Sequence, residues 1–326
     1  MEEKSAEFAL IDTYFKNLTN QQEVVVGIGD DAAVIESDNL SHWVVAADTL
    51  VESVHFPAEA TAEEIASRSL CVNLSDMAAM GAVAKWFILA LTLPPEKASD
   101  EWLRDFSQSL GSIAAEHNIA LIGGDTTAGP LTVSITLIGE VPKGKSLQRC
   151  GAKPGDLIFV SGTLGDGAAA LDGLKDNKKS AFAQNPRLLK HFYRPQPQTA
   201  LGKGLRDYAS ACIDISDGLV SDLGHVCRAS GVSAEISTQR LPVHPDLKQV
   251  PKQQYLQWAL TGGDDYQLCF TIPEDKRDDF DAWLSNQDFS VTEIGKITPI
   301  HHNRSQVKID GSALSTANGG YEHFQK

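Results

Sequence analysis

Apolar and polar positions follow two different periods along this chain. From Thr61 a helical period begins: Ile65, Val72 and Met77 recur at helix spacing, and Thr61 with Glu64 forms a capping box. Gly81 closes that pattern. A second helix is predicted from about Ser99 to Asn118, where Leu103, Phe106, Leu110 and Ile113 form one stripe with acids and amides opposite. From Leu131 to Ile138 the period falls to two, with Val133, Ile135 and Leu137 alternating against Thr132, Ser134 and Thr136. That pattern describes a half-buried strand whose hydroxylic face could line an interface. The opening stretch MEEKSAEFALIDTYF reads as a further amphipathic helix. Helical and strand periods alternating in this way argue for α/β or α+β layers.

The segment Lys143 to Asp156 interrupts the periodicity. It is rich in Lys, Gly and Pro and ends in the turn Lys153-Pro154-Gly155-Asp156, after which Leu157 to Val160 opens a new strand. The break divides the 326 residues into two domains of ordinary size, 1–148 and 149–326. Asp176 to Gln184 and Arg194 to Gln198 read as irregular connections.

Composition narrows the class. With 42% hydrophobic and 22% charged residues the chain is globular rather than disordered. A formal net charge of -15 argues against nucleic acid or an anionic membrane as partner, because the cations that neutralise phosphates are scarce. The longest apolar run, Trp86 to Leu91, falls far short of the ~20 residues of a membrane span, and two glutamates at the start do not fit a secretory signal. Cys71, Cys150, Cys212, Cys227 and Cys269 are odd in number and never spaced as CxxC. They read as reduced thiols of a cytoplasmic protein rather than a disulfide framework or a zinc site.

The chemistry is concentrated in acidic, glycine-rich segments. Four times an apolar run leads into one: Gly27-Ile-Gly-Asp-Asp31, Leu121-Ile-Gly-Gly-Asp125, Ile213-Asp-Ile-Ser-Asp-Gly218 and Leu260-Thr-Gly-Gly-Asp-Asp265. Asp48 and Asp76 sit in similar settings. Any one of these is an ordinary turn by composition. As a set they contain no Lys or Arg to pair the carboxylates. Carboxylates gathered ~5 Å apart would repel by ~3 kcal/mol per pair at an effective dielectric of 20. Oxygen-only ligands in short acidic turns suit a hard divalent cation, Mg²⁺ above all where phosphate shares the coordination sphere. Gly139-Glu-Val-Pro-Lys-Gly-Lys-Ser146 fits the letters of a P-loop, but Gly151-Ala-Lys-Pro-Gly155 breaks the chain before the required helix could form.

Eight blocks, in order and across nearly the whole chain, resemble the thiamine-monophosphate kinase family. They are GIGDDAAV from Gly27, ADTLVESVHF from Ala47, NLSDMAAMGA from Asn73, LIGGDTT from Leu121, RCGAKPGD from Arg149, IDISDGL from Ile213, GGDDY from Gly262 and GYEHF from Gly320. The resemblance implies the aminoimidazole-ribonucleotide-synthetase-like fold: two α/β domains, with the N-terminal mixed sheets of two subunits pairing into a barrel across a homodimer. It implies ATP as co-substrate, thiamine monophosphate as acceptor and several Mg²⁺ ions. By matching position, Asp31, Asp48, Asp76, Asp125, Asp214 and Asp217 would be metal ligands, with Asp30 a further candidate. Asp76, Asp125 and Asp217 would be the most directly catalytic. Gly124, Asp125, Arg149 and Ser216 would border the nucleotide, and His55, Asp264 and Tyr321 the thiamine phosphate. Two departures stand out. Ala46 and Ala47 precede Asp48 where the family often has a hydroxyl residue, and the family's GGED turn is GGDD here, so Asp264 is one methylene short.

The implied chemistry needs no general base, because a phosphate monoester with a second pKa near 6 is already ionised at neutral pH. Direct in-line transfer of the γ-phosphoryl group follows, driven by positioning and charge neutralisation. Two other functions compete: another ATP-using ligase of the same superfamily, and a non-enzymatic binder of cations or nucleotides. The block at Gly320 to Phe324 argues against the first, and Arg149, His55 and Tyr321 together argue against the second.

Overall fold

Two mixed sheets and a helix buried between them organise the chain. The computed structural model describes residues 23–37, 40–175, 182, 185–300 and 304–313. The helix expected at the start, the block at 320–324 with Tyr321, and most of the polar stretch 176–184 lie outside the described residues.

Helix α1 (Ala62–Ala79) starts at the capping box: the Glu64 N–H donates to Thr61 Oγ1 at 3.3 Å, and the Thr61 N–H to Glu64 Oε2 at 2.9 Å. Only Glu63, Glu64 and Asp76 escape full burial, so the expected apolar stripe is one side of a helix covered all round. Its polar residues are accommodated by specific bonds: Ser67 Oγ to the Tyr193 carbonyl at 2.8 Å, Ser69 Oγ to the Ile65 carbonyl at 2.7 Å. Helix α2 (Asp100–Glu116), capped by Ser99, buries Phe106, Leu110 and Ile113 as expected. Leu103 instead stays exposed at 36%, and Trp102 takes its place in the packing by stacking on Phe106 at 5.0 Å.

The first sheet holds β1 (Val24–Val26), β2 (Ala33–Glu36), β3 (Ser41–Val51), β4 (Val83–Leu93), β5 (Ala120–Ala128) and β6 (Thr132–Pro142) in the order β1-β2-β3-β6-β4-β5. All neighbours are antiparallel except β4 and β5. The alternation expected from Leu131 to Ile138 extends to Val141, with Val133, Ile135, Leu137 and Val141 buried. Leu121 to Asp125 corrects one expectation, because this segment runs through strand β5 rather than turning. Gly124 serves close approach to β4, since a Cβ there would lie 1.8 Å from the Leu89 carbonyl oxygen, whereas a Cβ on Gly123 would meet nothing within 4 Å.

No helix follows Ser146, and Gly139 to Pro142 lie inside β6, so the P-loop letters do not form a P-loop. The second sheet begins with β7 (Leu157–Ser161). It continues with β8 (Ala211–Asp214), β9 (Ser233–Ile236), β10 (Leu268–Ile272), β11 (Val291–Thr298), β12 (Val307–Ile309) and β13 (Ser312–Ala313), ordered β13-β12-β9-β11-β7-β10-β8. Helices α3 (Asp166–Lys175), α4 (Pro186–Tyr193), α5 (Thr199–Leu205), α6 (Leu219–Ser230), α7 (Lys252–Thr261) and α8 (Arg277–Leu284) accompany it. Helix α1 packs on β3 and β6 of the first sheet and on β8, α4 and α5 of the second half. Residues of α1 therefore reach both halves, and this is what assembles the site.

Candidate active site

Three carboxylates converge from three parts of the chain. Asp31 lies in the turn between β1 and β2, Asp76 on the one incompletely buried turn of α1 past its first residues, and Asp214 at the end of β8. One oxygen from each lies within 4.8 Å of the others. Neighbouring residues fix each position. Ser75 Oγ donates to Asp214 Oδ2 at 2.6 Å. Asn73 accepts the Asp48 N–H at 3.1 Å and donates to the Ser69 carbonyl at 2.9 Å, tying strand β3 to α1. Asp222 accepts the N–H groups of Asp217 and Gly218, both at 3.1 Å, which shapes the turn before α6. Gly218 holds φ at 113° there, a backbone state that suits glycine.

Crowding and burial favour the protonated forms of Asp30, Asp48, Asp76 and Asp214. Burial, then the neighbouring Asp31, pushes Asp214 up to about 8. Burial and Asp31 likewise raise Asp30 and Asp48 to about 6. Asp76 is driven well above the usual carboxylate range by burial, then by Asp48, Asp214 and Asp31. The acidic segments contain no Lys or Arg of their own, and Arg149 supplies a cationic partner from the segment between the sheets. Its Nε donates to Asp31 Oδ1 at 3.1 Å, its Nη2 contacts the same oxygen, and its backbone N–H donates to Asp30 Oδ2 at 3.0 Å. Asp31 Oδ2 is buried without a hydrogen-bond partner. An orphaned carboxylate oxygen inside an all-oxygen donor set fits a hard cation such as Mg²⁺.

A cavity of about 1020 Å³ opens from this cluster. Its lining also includes His55, Phe192, Tyr266 and Asp264, together with the largely buried Arg68 of α1. The GGDD turn is laced to the ISDG turn by backbone bonds, the Asp264 N–H to the Ser216 carbonyl at 2.9 Å and the Tyr266 N–H to the Ile215 carbonyl at 2.8 Å. Asp265, fully buried, accepts from the Gly165 and Gly167 N–H groups at 2.7 and 3.1 Å, docking the start of α3 on the same turn. One cavity thus joins an acidic cluster suited to cations and phosphates with a wall of aromatic, carboxylate and imidazole groups.

Comparison with known proteins identifies the family. The family description "AIR synthase related protein, N-terminal domain" matches residues 29–141, and its C-terminal counterpart matches residues 153–308. A thiamine-monophosphate kinase of Escherichia coli (strain K12) is 42% identical over 321 residues, 98% of each chain. The chain belongs to the thiamine-monophosphate kinase family. A crystal structure of thiamine-monophosphate kinase from Stenotrophomonas maltophilia K279a is 42% identical, covers 95% of this chain and 98% of its own, and superposes with a TM-score of 0.79. AaThiL complexed with AMPPCP and TMP is 32% identical, with 98% and 97% covered and a TM-score of 0.84.

Of the residues assigned by resemblance to thiamine-monophosphate kinases, the cavity is lined by Asp30, Asp31, Asp48, His55, Asp76, Arg149, Asp214, Ser216, Asp217 and Asp264. Gly124 and Asp125 stand on the outermost strand β5, exposed and outside the cavity lining. Tyr321 lies outside the described residues. Sequence reasoning missed Arg68, Asn73, Ser75 and Asp222. The signal for Asn73 and Ser75 was present, as polar residues one to three positions before Asp76 on the same helix. Arg68 carries no comparable local signal, and its role emerges only from its burial and contacts.

Proposed function

We propose that this protein transfers the γ-phosphoryl group of ATP directly to the phosphate of thiamine monophosphate, giving thiamine diphosphate and ADP. The observation that carries this is the shared cavity: the Asp31, Asp76 and Asp214 cluster and the His55, Phe192, Tyr266 and Asp264 wall face one space. The kinship with thiamine-monophosphate kinases and the AMPPCP and TMP bound to AaThiL support the same substrates here.

Within that reaction Asp31, Asp48, Asp76, Asp214 and Asp217 would hold Mg²⁺, with Asp30 beside them. When bound, Mg²⁺ neutralises charge on the donor and acceptor phosphates. Arg149, whose fork now rests on Asp31, is placed to hold phosphate oxygens in plane. Ser216 borders the nucleotide. His55 and Asp264 orient the acceptor, with Tyr321 assigned by resemblance alone. His55 Nδ1 accepts the Val51 N–H at 2.9 Å, so its ring is fixed and Nε2 carries the proton that could meet an anionic acceptor. No residue needs to remove a proton from the acceptor, since a phosphate monoester is already ionised.

We also propose a homodimer built on the open face of the first sheet, and the division into domains at 148/149. Trp86, Ile88, Leu121 and Ile122 are 37–55% exposed there, and β5 is exposed along its whole length at the sheet edge. An uncovered apolar edge of this kind favours a partner. It also carries Gly124 and Asp125, whose nucleotide and metal roles are assigned by resemblance. No helix among the described residues is long and apolar enough to cross a membrane; four buried free thiols are consistent with a cytoplasmic setting.

The proposal is tested with Asp76→Ala and Asp217→Ala. Both should lose at least a hundredfold in turnover while the far-UV spectrum stays native. Wild-type turnover in either variant would remove the metal assignment.

A further inference from the structure

Arg68 lies in the middle of α1 with 3% of its side chain exposed, yet it ends on the cavity wall. Every arm of its guanidinium is used on a different segment of that wall. Nε donates to the His55 carbonyl at 3.0 Å, Nη1 to the Phe192 carbonyl at 2.7 Å, and Nη2 to Asp264 Oδ1 at 2.5 Å. The guanidinium carbon stands 4.1 Å from the Phe192 ring centre and 5.9 Å from that of Tyr266. These segments are far apart in sequence, at 55, 192 and 264–266, and belong to both halves of the chain. Asp264 itself holds a left-handed backbone, φ 68°, which a non-glycine residue keeps only when its surroundings enforce it. Tyr266 Oη adds a contact to the same oxygen, Oδ1, at 3.4 Å.

Resting on the reading given above, we propose that Arg68 is a positioning residue for the acceptor. It fixes and neutralises the Asp264 carboxylate, leaving Oδ2 to accept a hydrogen bond from the substrate's amine-bearing ring. Asp264 then addresses the acceptor as a neutralised hydrogen-bond acceptor rather than as a counter-ion to the thiazolium. The same fork sets the spacing between His55 and Asp264, so one buried cation governs the width of the acceptor side. The nucleotide side depends on Arg149 and the acidic cluster, none of which Arg68 touches.

The test is steady-state kinetics of Arg68→Lys, Arg68→Met, Asp264→Asn and the double variant R68M/D264N, with calorimetric binding of thiamine monophosphate to each. Lysine keeps the charge but loses the fork. Arg68→Lys should raise KM for thiamine monophosphate about tenfold and Arg68→Met more, with KM for ATP within twofold of wild type. Because Arg68 acts through Asp264, the double variant should bind thiamine monophosphate no worse than Asp264→Asn alone. A purely structural role would lower the melting temperature and leave both KM values unchanged, or raise both together; either result overturns the inference. Additive losses in the double variant would overturn it as well. Wild-type protein that binds ATP but does not turn over thiamine monophosphate would take the functional reading down first, and the inference with it.

Discussion

The acidic cluster makes an unusual expectation about stability. Replacing Asp76 with Asn should stabilise the metal-free protein while abolishing its response to magnesium. Asp76 is the right position because Asp31 holds Arg149 and Asp214 accepts from Ser75, so substitution at either would also break a bond. Two unit charges 4.8 Å apart repel by about 3 kcal/mol at an effective dielectric of 20, and Asp76 has two such neighbours. Arg149 offsets part of the Asp31 charge, and Asp214, raised to about 8, is half protonated near that pH. Burial and the neighbouring carboxylates disfavour Asp76 whether it stays ionised or takes up a proton, and asparagine removes that cost, about 3 kcal/mol at pH 8. For a chain of this size that corresponds to a rise in melting temperature of about 5 °C. The assay is thermal unfolding of wild type and Asp76→Asn at pH 8, with a chelator and with added Mg²⁺. Wild type should be the less stable of the two with chelator and gain strongly from Mg²⁺, whereas the variant should gain little. A metal-free variant less stable than wild type, with both proteins raised equally by Mg²⁺, would refute the convergence argument.

Three further expectations follow from named contacts. Burial keeps protons on Asp30, Asp48 and Asp214 that the unfolded chain releases near 3.8. That contribution is present at low pH and lost as pH rises through the folded values, so metal-free protein should lose a few kcal/mol between about pH 5 and 8.5 by denaturant titration; a flat profile would contradict it. Asp264→Ala strands the buried Arg68 charge and should cost about 3 kcal/mol or more in urea unfolding, well beyond the loss of one surface contact. Gly167→Ala would place a Cβ 2.3 Å from the Asp264 carbonyl oxygen, so it should raise KM for thiamine monophosphate severalfold and leave KM for ATP near wild type.

What was legible in the sequence was mostly local. The Thr61 and Glu64 capping box, the alternation into β6 and the break at 143–156 are short-range signals, and each corresponds to an observed feature. The gathering of Asp31, Asp76 and Asp214 was inferred from composition and resemblance, and the geometry brings them together through a helix that touches both sheets. Long-range pairing was not legible. Nothing local marks Arg68 as the partner of Asp264, 196 positions away, or Arg149 as the partner of Asp31. The glycines of Leu121 to Asp125 misled for a related reason: they look like turn residues, but the segment is a strand in which Gly124 lets β5 lie close against β4. Leu103 failed because Trp102, one position away, filled the stripe instead.

The most direct test of the central claim is product formation by the purified protein given ATP, Mg²⁺ and thiamine monophosphate, with free thiamine as the parallel acceptor. Thiamine diphosphate should form from the monophosphate alone, with one ADP released per product and the reaction abolished by a chelator. ATP binding without turnover of either acceptor would contradict the assignment and direct attention to a related ATP-using ligase.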